Sequence, residues 1–215
     1  MGIAERKERE REQRWNDIVD AAERVFFSKG VWIATMDDVA EAAELSKGTL
    51  YLYFKSKEEL YFAINLRGLH ILADLFRKAV EQGKTGLEKT FLIGNAFVQF
   101  SREHADYFNA LSYYEIKDVD YSDSGSVACL CDQAGGEVIG ILVGAIHIGI
   151  GDGSIRPDLD PAKTAMILWG VTSGVIQLVA QKGEHMQQRH GLPMDTLIDE
   201  AFRLIRCVLE RKDSP

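Results

Sequence analysis

The chain has 215 residues, 46% of them hydrophobic and 27% charged, with 25 Lys and Arg against 33 Asp and Glu for a net charge of −8. This apolar content offsets the ordering entropy of folding and excludes a disordered chain. The acidic balance excludes a protein that coats nucleic acid through overall charge, so any DNA contact must come from a local basic patch.

The N-terminal run Met1–Arg14 is charged and has no apolar core for a signal peptide. The longest apolar stretch, Val138–Gly151, is about 14 residues, short for a membrane span. Both features predict a cytoplasmic protein with no membrane partner. Trp15, Ile18, Val19, Ala22, Val25 and Phe26 form one helical stripe. Ahead of it Glu5–Arg9 and Glu10–Arg14 are acid-before-base pairs at i, i+4 that extend the helix into solvent. The stripe stops at Gly30, a left-handed cap in this reading.

Thr35, three residues before Asp38, reads as a capping box for a short helix carrying Met36, Val39 and Ala40. After a turn at Glu44-Leu45, Ser46 caps a helix to Phe54, and Ser56 caps a long one to about Val80. Leu87–His104 is amphipathic, and an apolar group from Tyr107 to Ile116 precedes an acidic link. In 127–150, Gly136, Gly140 and Gly144 recur every fourth residue, so a close helix approach or a bend is expected there. Asp160-Pro161 opens a helix so apolar that burial on more than one side is expected, and the last helix carries one apolar stripe from Met194 to Val208. No alternating strand pattern is present, and the expected fold is all-α.

The pair of short helices Met36–Ala43 and Ser46–Phe54 has the form of a helix-turn-helix, though a packed helical hairpin reads the same way. Three features favour nucleic acid. Leu45–Lys57 holds Lys47, Lys55 and Lys57 and no acid. Three helix N-termini begin nearby, each offering free N–H groups to phosphate. On the helical wheel, inward Leu50 and Phe54 turn Gly48 and Leu52 outward, flanked by Thr49, Tyr51 and Tyr53. An exposed Leu52 suits a thymine methyl, and Gly48 lets a backbone approach closely.

These residues carry a resemblance. Ala21-Ala22-x-x-x-Phe26, Gly30, Thr35-Met36-Asp37-Asp38-Val39-Ala40 and Ser46-Lys47-Gly48-Thr49-Leu50-Tyr51-x-Tyr53-Phe54-Lys55-Ser56-Lys57-Glu58-x-Leu60 resemble the DNA-binding region of TetR-family transcriptional regulators. Gly153-x-Ile155-Arg156-Pro157-Asp158-Leu159-Asp160 resembles the family more loosely. Glu44 departs from it, standing where the family often has glycine in the turn. The resemblance implies an N-terminal three-helix DNA-binding domain at 1–57 and a larger helical ligand-sensing and dimerisation domain at 58–215. It implies that Thr35, Ser46, Lys47, Gly48, Thr49, Tyr51, Tyr53 and Lys57 lie against operator DNA. Thr35, Tyr51, Tyr53 and Lys57 are then expected at phosphates, and Lys47, Gly48, Thr49 and Leu52 near bases.

The reading that follows is a transcriptional regulator, a repressor released from a palindromic double-stranded operator by a small apolar or amphipathic ligand. The last two long helices, Asp160–Lys182 and Met194–Arg211, would pair two copies into a homodimer. Phe97, Phe100, Tyr107, Phe108, Leu111, Tyr114, His147, Met166, Trp169, Thr172 and Ile176 are the expected wall of the sensor cavity. The alternative is a helical interaction protein that kept the helix-turn-helix shape without binding DNA.

Enzyme signatures fail on spacing. Gly149-x-Gly151-x-Gly153 has Ser154 where a dinucleotide fingerprint needs its third glycine, and no strand precedes it. Ser101, His104 and Asp106 lack a nucleophile elbow. His185 and His190 are five apart, and Asp118-x-Asp120 lacks the rest of a calcium loop. Cys129, Cys131 and Cys207 are an odd number with no second pair for a four-ligand site. No catalytic residue, metal or cofactor is expected.

Overall fold

The computed structural model describes residues 2–113, 119, 121, 123–191, 193, 194 and 196–211. Among them the helices are α1 Ile3–Lys29, α2 Met36–Ala42, α3 Lys47–Tyr53, α4 Lys57–Gln82, α5 Gly86–Glu103, α6 Ala105–Tyr113, α7 Val127–Asp152, α8 Pro161–His190 and α9 Leu197–Leu209. No strand occurs among the described residues beyond an isolated bridge between Ile155 and Glu210. The fold is all-α. The helices gather into two compact units, one holding the chain up to Gly68 with the described part of 109–133, the other holding 69–108 and the described chain from 134 onward. Helix α4 contributes to both.

In the first unit the α1 stripe is buried as its periodicity predicts, with Ile18, Val19 and Ala22 fully inaccessible. The charged arm continues α1 into solvent, but the ion pair that forms is Arg6–Glu10 at 2.7 Å, while Glu5 accepts the N–H of Gly2. Gly30 ends α1 at φ 80°, ψ 142°, a positive-φ extended turn rather than the expected left-handed helical cap. Thr35 accepts the Asp38 N–H, and the Asp38 carboxylate accepts the Thr35 N–H, closing the expected capping box. Ser46 caps α3 through the Thr49 N–H, and the Ser56 hydroxyl accepts the Glu59 N–H. Glu44 holds φ 56°, the one non-glycine positive φ among the described residues, where a glycine would be unstrained.

Two arginines fasten this unit. Arg24 reaches the Ala42 carbonyl at the end of α2 at 3.2 Å. Arg67 on α4 donates to Asp20, Glu23 and both oxygens of Asn16 on α1, and its guanidinium lies 6.0 Å from the Trp15 ring centroid. A planar fork with five donors suits that task better than a lysine would. α4 also carries a buried polar exception: Asn65 is 8% exposed, and its Oδ1 has no hydrogen-bond partner.

In the second unit α5 and α7 meet backbone to backbone. A Cβ on Gly86 would fall 1.9 Å from the Gly149 nitrogen. The crossing is sealed by polar groups from the α7 end. Asp152 accepts the Gly86 N–H at 2.7 Å and the Ser154 hydroxyl accepts the Leu87 N–H at 3.1 Å, satisfying orphan donors of α5. Gly149 and Asp152 thus serve packing and capping. Residues 154–156 are then stitched to the end of α9 through the Arg156 N–H to the Leu209 carbonyl, 3.0 Å.

The glycine stripe of α7 corrects an expectation. Gly136, Gly140 and Gly144 have no neighbouring atom within 4 Å of an added Cβ, so they make no close approach among the described residues. Helix α8 runs to His190, past the expected end near Lys182, because Arg189 and His190 favour its C-terminal dipole and Gly191 ends it in the left-handed region. Nor is α8 buried on more than one side: Met166, Ile167, Val171 and Leu178 are exposed. Helices α7 and α8 are long and apolar enough to cross a membrane by length and composition, since each continues beyond the apolar run seen in the sequence. Core helices share that property, and both bury one face in this unit.

Opposite glycine substitutions separate these two situations. Gly86→Ala should lower stability in urea unfolding by about 3 kcal/mol or more, because backbone must move. Gly140→Ala should raise it by roughly 0.5–1 kcal/mol, the helix-propensity gain at an open position.

Candidate nucleic-acid interface and sensor cavity

Helix α3 is set in rotation by its buried side. Leu50 and Phe54 are fully inaccessible, and the Phe54 ring lies 5.6 Å from that of Trp15 on α1. At about 100° per residue the opposite face is then fixed. Leu52 is 82% exposed, Tyr51 is 41% exposed, and Lys47 and Gly48 are exposed as well. No atom but the Ser46 hydroxyl lies within 4 Å of an added Gly48 Cβ, so this spot of the helix is bare backbone. Thr35 and Ser46 are exposed at their caps, while Thr49 and Tyr53 are partly covered. The Thr49 hydroxyl is 2.8 Å from that of Ser46.

Two lysines have partners that the linear sequence did not reveal. Lys47 Nζ lies 2.7 Å from Asp37, whose carboxylate holds the ammonium pKa above its ordinary value. Both groups are largely exposed, so the pair is weak and exchangeable for a phosphate. Counting charge over Leu45–Lys57 missed this acid because it sits in the first turn of the preceding helix. Lys57 Nζ donates to the carbonyls of Ala34 at 3.2 Å and Trp32 at 3.4 Å, fixing the α1–α2 loop.

The second unit holds an apolar cavity of about 30 Å³. Phe97, Trp169 and Thr172 line it, together with Phe76, Leu142, Phe202 and Ile205. Phe97 stacks on Trp169 with centroids 4.5 Å apart. Phe100, Phe108 and Ile176 are buried but do not line it. Tyr107 lies beside the His104 ring. Leu111 falls in the first unit, and Tyr114 lies outside the described residues. His147 and Met166 are corrections: both are exposed, because Ile146 and Ala165 take the inward positions beside them. The sequence reading missed α9, which supplies Phe202 against Gly94, where an added Cβ would sit 3.0 Å from the ring. An aromatic on the inner side of the last amphipathic stripe was the available signal.

An apolar groove of about 270 Å³ runs between α8 and α9, lined by Leu159, Ile167, Val171, Leu204 and Val208 among others. No group of three or more His, Cys, Asp or Glu placed to hold a metal occurs among the described residues. Burial pushes the Cys131 thiol up to about 11.

Two short helices with one buried and one bare face have the form of a helix-turn-helix, the class of DNA-binding regulators. Comparison with known proteins bears this out. Residues 18–64 match the family described as bacterial regulatory proteins, tetR family. The HTH-type transcriptional repressor KstR2 of Rhodococcus jostii is 31% identical over 148 residues, 68% of this chain and 70% of that protein. The HTH-type transcriptional activator FasR of Mycolicibacterium smegmatis is 32% identical over 55% of this chain and 52% of its own. Among solved structures, FadR from Bacillus subtilis in complex with stearoyl-CoA superposes with a TM-score of 0.68 at 17% identity, covering 90% of this chain and 98% of that one. The chain belongs to the TetR family and is a DNA-binding transcriptional regulator.

The α2 cap titrates in a defined window. Lys29, then the Thr35 N–H and hydroxyl, hold the Asp38 carboxyl at about 2 against an ordinary 3.8. Its folded-state pKa is depressed, so its contribution is present above pH 3.8 and lost as pH falls towards about 2. Asp38→Asn should therefore melt below the parent at neutral pH, and the gap in Tm by circular dichroism should narrow across that window.

Proposed function

We propose that the protein is a repressor that binds a palindromic operator as a homodimer and is released by a small apolar or amphipathic effector. The observation that carries the DNA half is the bare face of α3, with Leu52 82% exposed and backbone accessible at Gly48. Lys47, Gly48, Thr49 and Leu52 lie near bases, and Thr35, Ser46, Tyr51 and Tyr53 hold the backbone in register. Lys57 acts there mainly by holding the loop ahead of Thr35. In this reading DNA binding belongs to 1–57, sensing and dimerisation to 58–215, and the protein acts in the cytoplasm.

The dimer forms through α8 and α9. Their groove and the exposed Met166, Ile167, Val171, Leu204 and Val208 make a continuous apolar surface of the kind a self-complementary interface covers. The effector enters the cavity at Phe97, Trp169 and Thr172. At about 30 Å³ that cavity is far below the roughly 300–1,000 Å³ of ligand sites, so binding requires Trp169 or Phe202 to move. That coupling gives the effector different affinities in two states, the condition for it to shift DNA binding. Helix α4, common to both units, transmits the change.

Selection from random duplex DNA should recover a palindrome, and its binding by fluorescence anisotropy should weaken steeply with salt. Lys47→Ala should reduce the salt slope by about one, and Tyr51→Phe should weaken binding while helicity is kept. Recovery of no sequence would instead support an interaction protein without DNA affinity. Independently, Ile167→Glu with Val171→Glu should convert a dimer into a 24.1 kDa species by light scattering.

A further inference from the structure

Among the described residues of the first unit, the α1–α2 loop presents the two most exposed large apolar side chains after Leu52: Trp32 at 73% and Ile33 at 74%. Tryptophan, with a large apolar body and one polar edge, is enriched at surfaces that contact a partner. The loop that carries it is held firmly. The Ile33 and Ala34 N–H groups both donate to the Gly30 carbonyl, at 3.2 and 3.1 Å. From the other side Lys57 Nζ donates to the carbonyls of Trp32 and Ala34. Beneath, Ala34 and Met36 are buried and anchor the segment in the core.

We infer that Trp32 and Ile33 pack on operator DNA, against the hydrocarbon edge of the deoxyribose backbone beside the phosphate held at Thr35. The inference rests on the DNA-binding reading above and extends it to residues outside the helix-turn-helix. Continuity of surface selects this occupant. Trp32 and Ile33 lie three and two residues before the exposed Thr35, and the loop that carries them is tied to Lys57 at the start of α4, so the patch adjoins a position assigned to the DNA face. The chemistry also fits: sugar edges and thymine methyls are the apolar surfaces that duplex DNA offers. Lys57 is then a positioning residue. Its ammonium, occupied by two carbonyls, orders the loop and places the indole, while the net positive charge remains beside the phosphates. This contact supplies affinity that salt does not screen, complementing the ionic contacts of α3.

The test uses the full-length protein and the operator fragment recovered by selection with the parent. Trp32→Ala should weaken operator binding about tenfold with an unchanged salt slope, whereas Lys47→Ala should change the slope. The parent's tryptophan emission should change on adding operator, and Trp32→Phe should remove the largest part of that change, since Trp15 and Trp169 are both more covered than Trp32. Lys57→Met should diminish the emission change even at saturating operator, a readout that a loss of general stability does not produce. Operator affinity equal to the parent in Trp32→Ala, with Trp32 emission insensitive to DNA, overturns the inference and leaves the α3 reading standing. If the parent itself selects no DNA, both fall. Binding of Trp32 to lipid vesicles or to a second dimer without DNA would reassign the patch and also overturn it.

Discussion

The burial of Leu50 and Phe54 governs the DNA-facing half of the molecule. Helix α3 is only 7 residues long, so it has no independent stability and takes its orientation from what its inner side can reach. Once those two side chains are seated, with Phe54 near Trp15, every other position on the helix is determined to within the scatter of helical geometry. Tyr51 and Leu52 emerge because nothing else is left for them. The arrangement then propagates outward. Arg67 lies over Trp15 and clasps α1 through Asp20 and Glu23, so α1, the α3 anchor and α4 share one cluster. A motion of α4 cannot leave α1 behind without stripping a guanidinium of its partners, which is expensive for a largely covered charge.

The second unit relies on a different kind of constraint. Its cavity is walled by interlocking aromatic rings, Phe76 edge-on to Phe97 and Phe97 stacked on Trp169. Edge-to-face and offset contacts hold rings in discrete orientations rather than a continuum. A small void among such rings is suited to two-state behaviour, closed or propped open. The outer faces of α8 and α9 are apolar and exposed, with Met166, Ile167, Val171, Leu204 and Val208 open to solvent.

Local signals were legible in the sequence and distant pairings were not. The caps at Thr35, Ser46 and Ser56 and the outward turn of Leu52 follow from residues within a few positions of one another. So does the start of α8 at Pro161, with Asp160 accepting the Lys163 N–H. Asp37 against Lys47, Lys57 against the loop carbonyls and Phe202 against Gly94 depend on which helices meet, and no periodicity carries that information. The glycines show the limit sharply. Gly136, Gly140 and Gly144 had the regular spacing, yet the close approach is made by Gly86 and Gly149, far apart in the chain and part of no repeat. Apolar periodicity also could not distinguish a face buried by its own chain from one left exposed, which is why α8 was expected to be covered and His147 and Met166 were placed on the cavity wall.

The crossing of Gly86 and Gly149 has a consequence for how helical units of this kind are recombined. Because two main chains touch there, no neighbouring side chain can be trimmed to make room, and the fit belongs jointly to the start of α5 and the end of α7 with its Asp152 and Ser154 cap. A chimera that takes α5 from one parent and α7 from another inherits half of a lock. Breakpoints that keep residues 86–156 in one inherited block preserve it, and the natural seams for recombination lie outside that span.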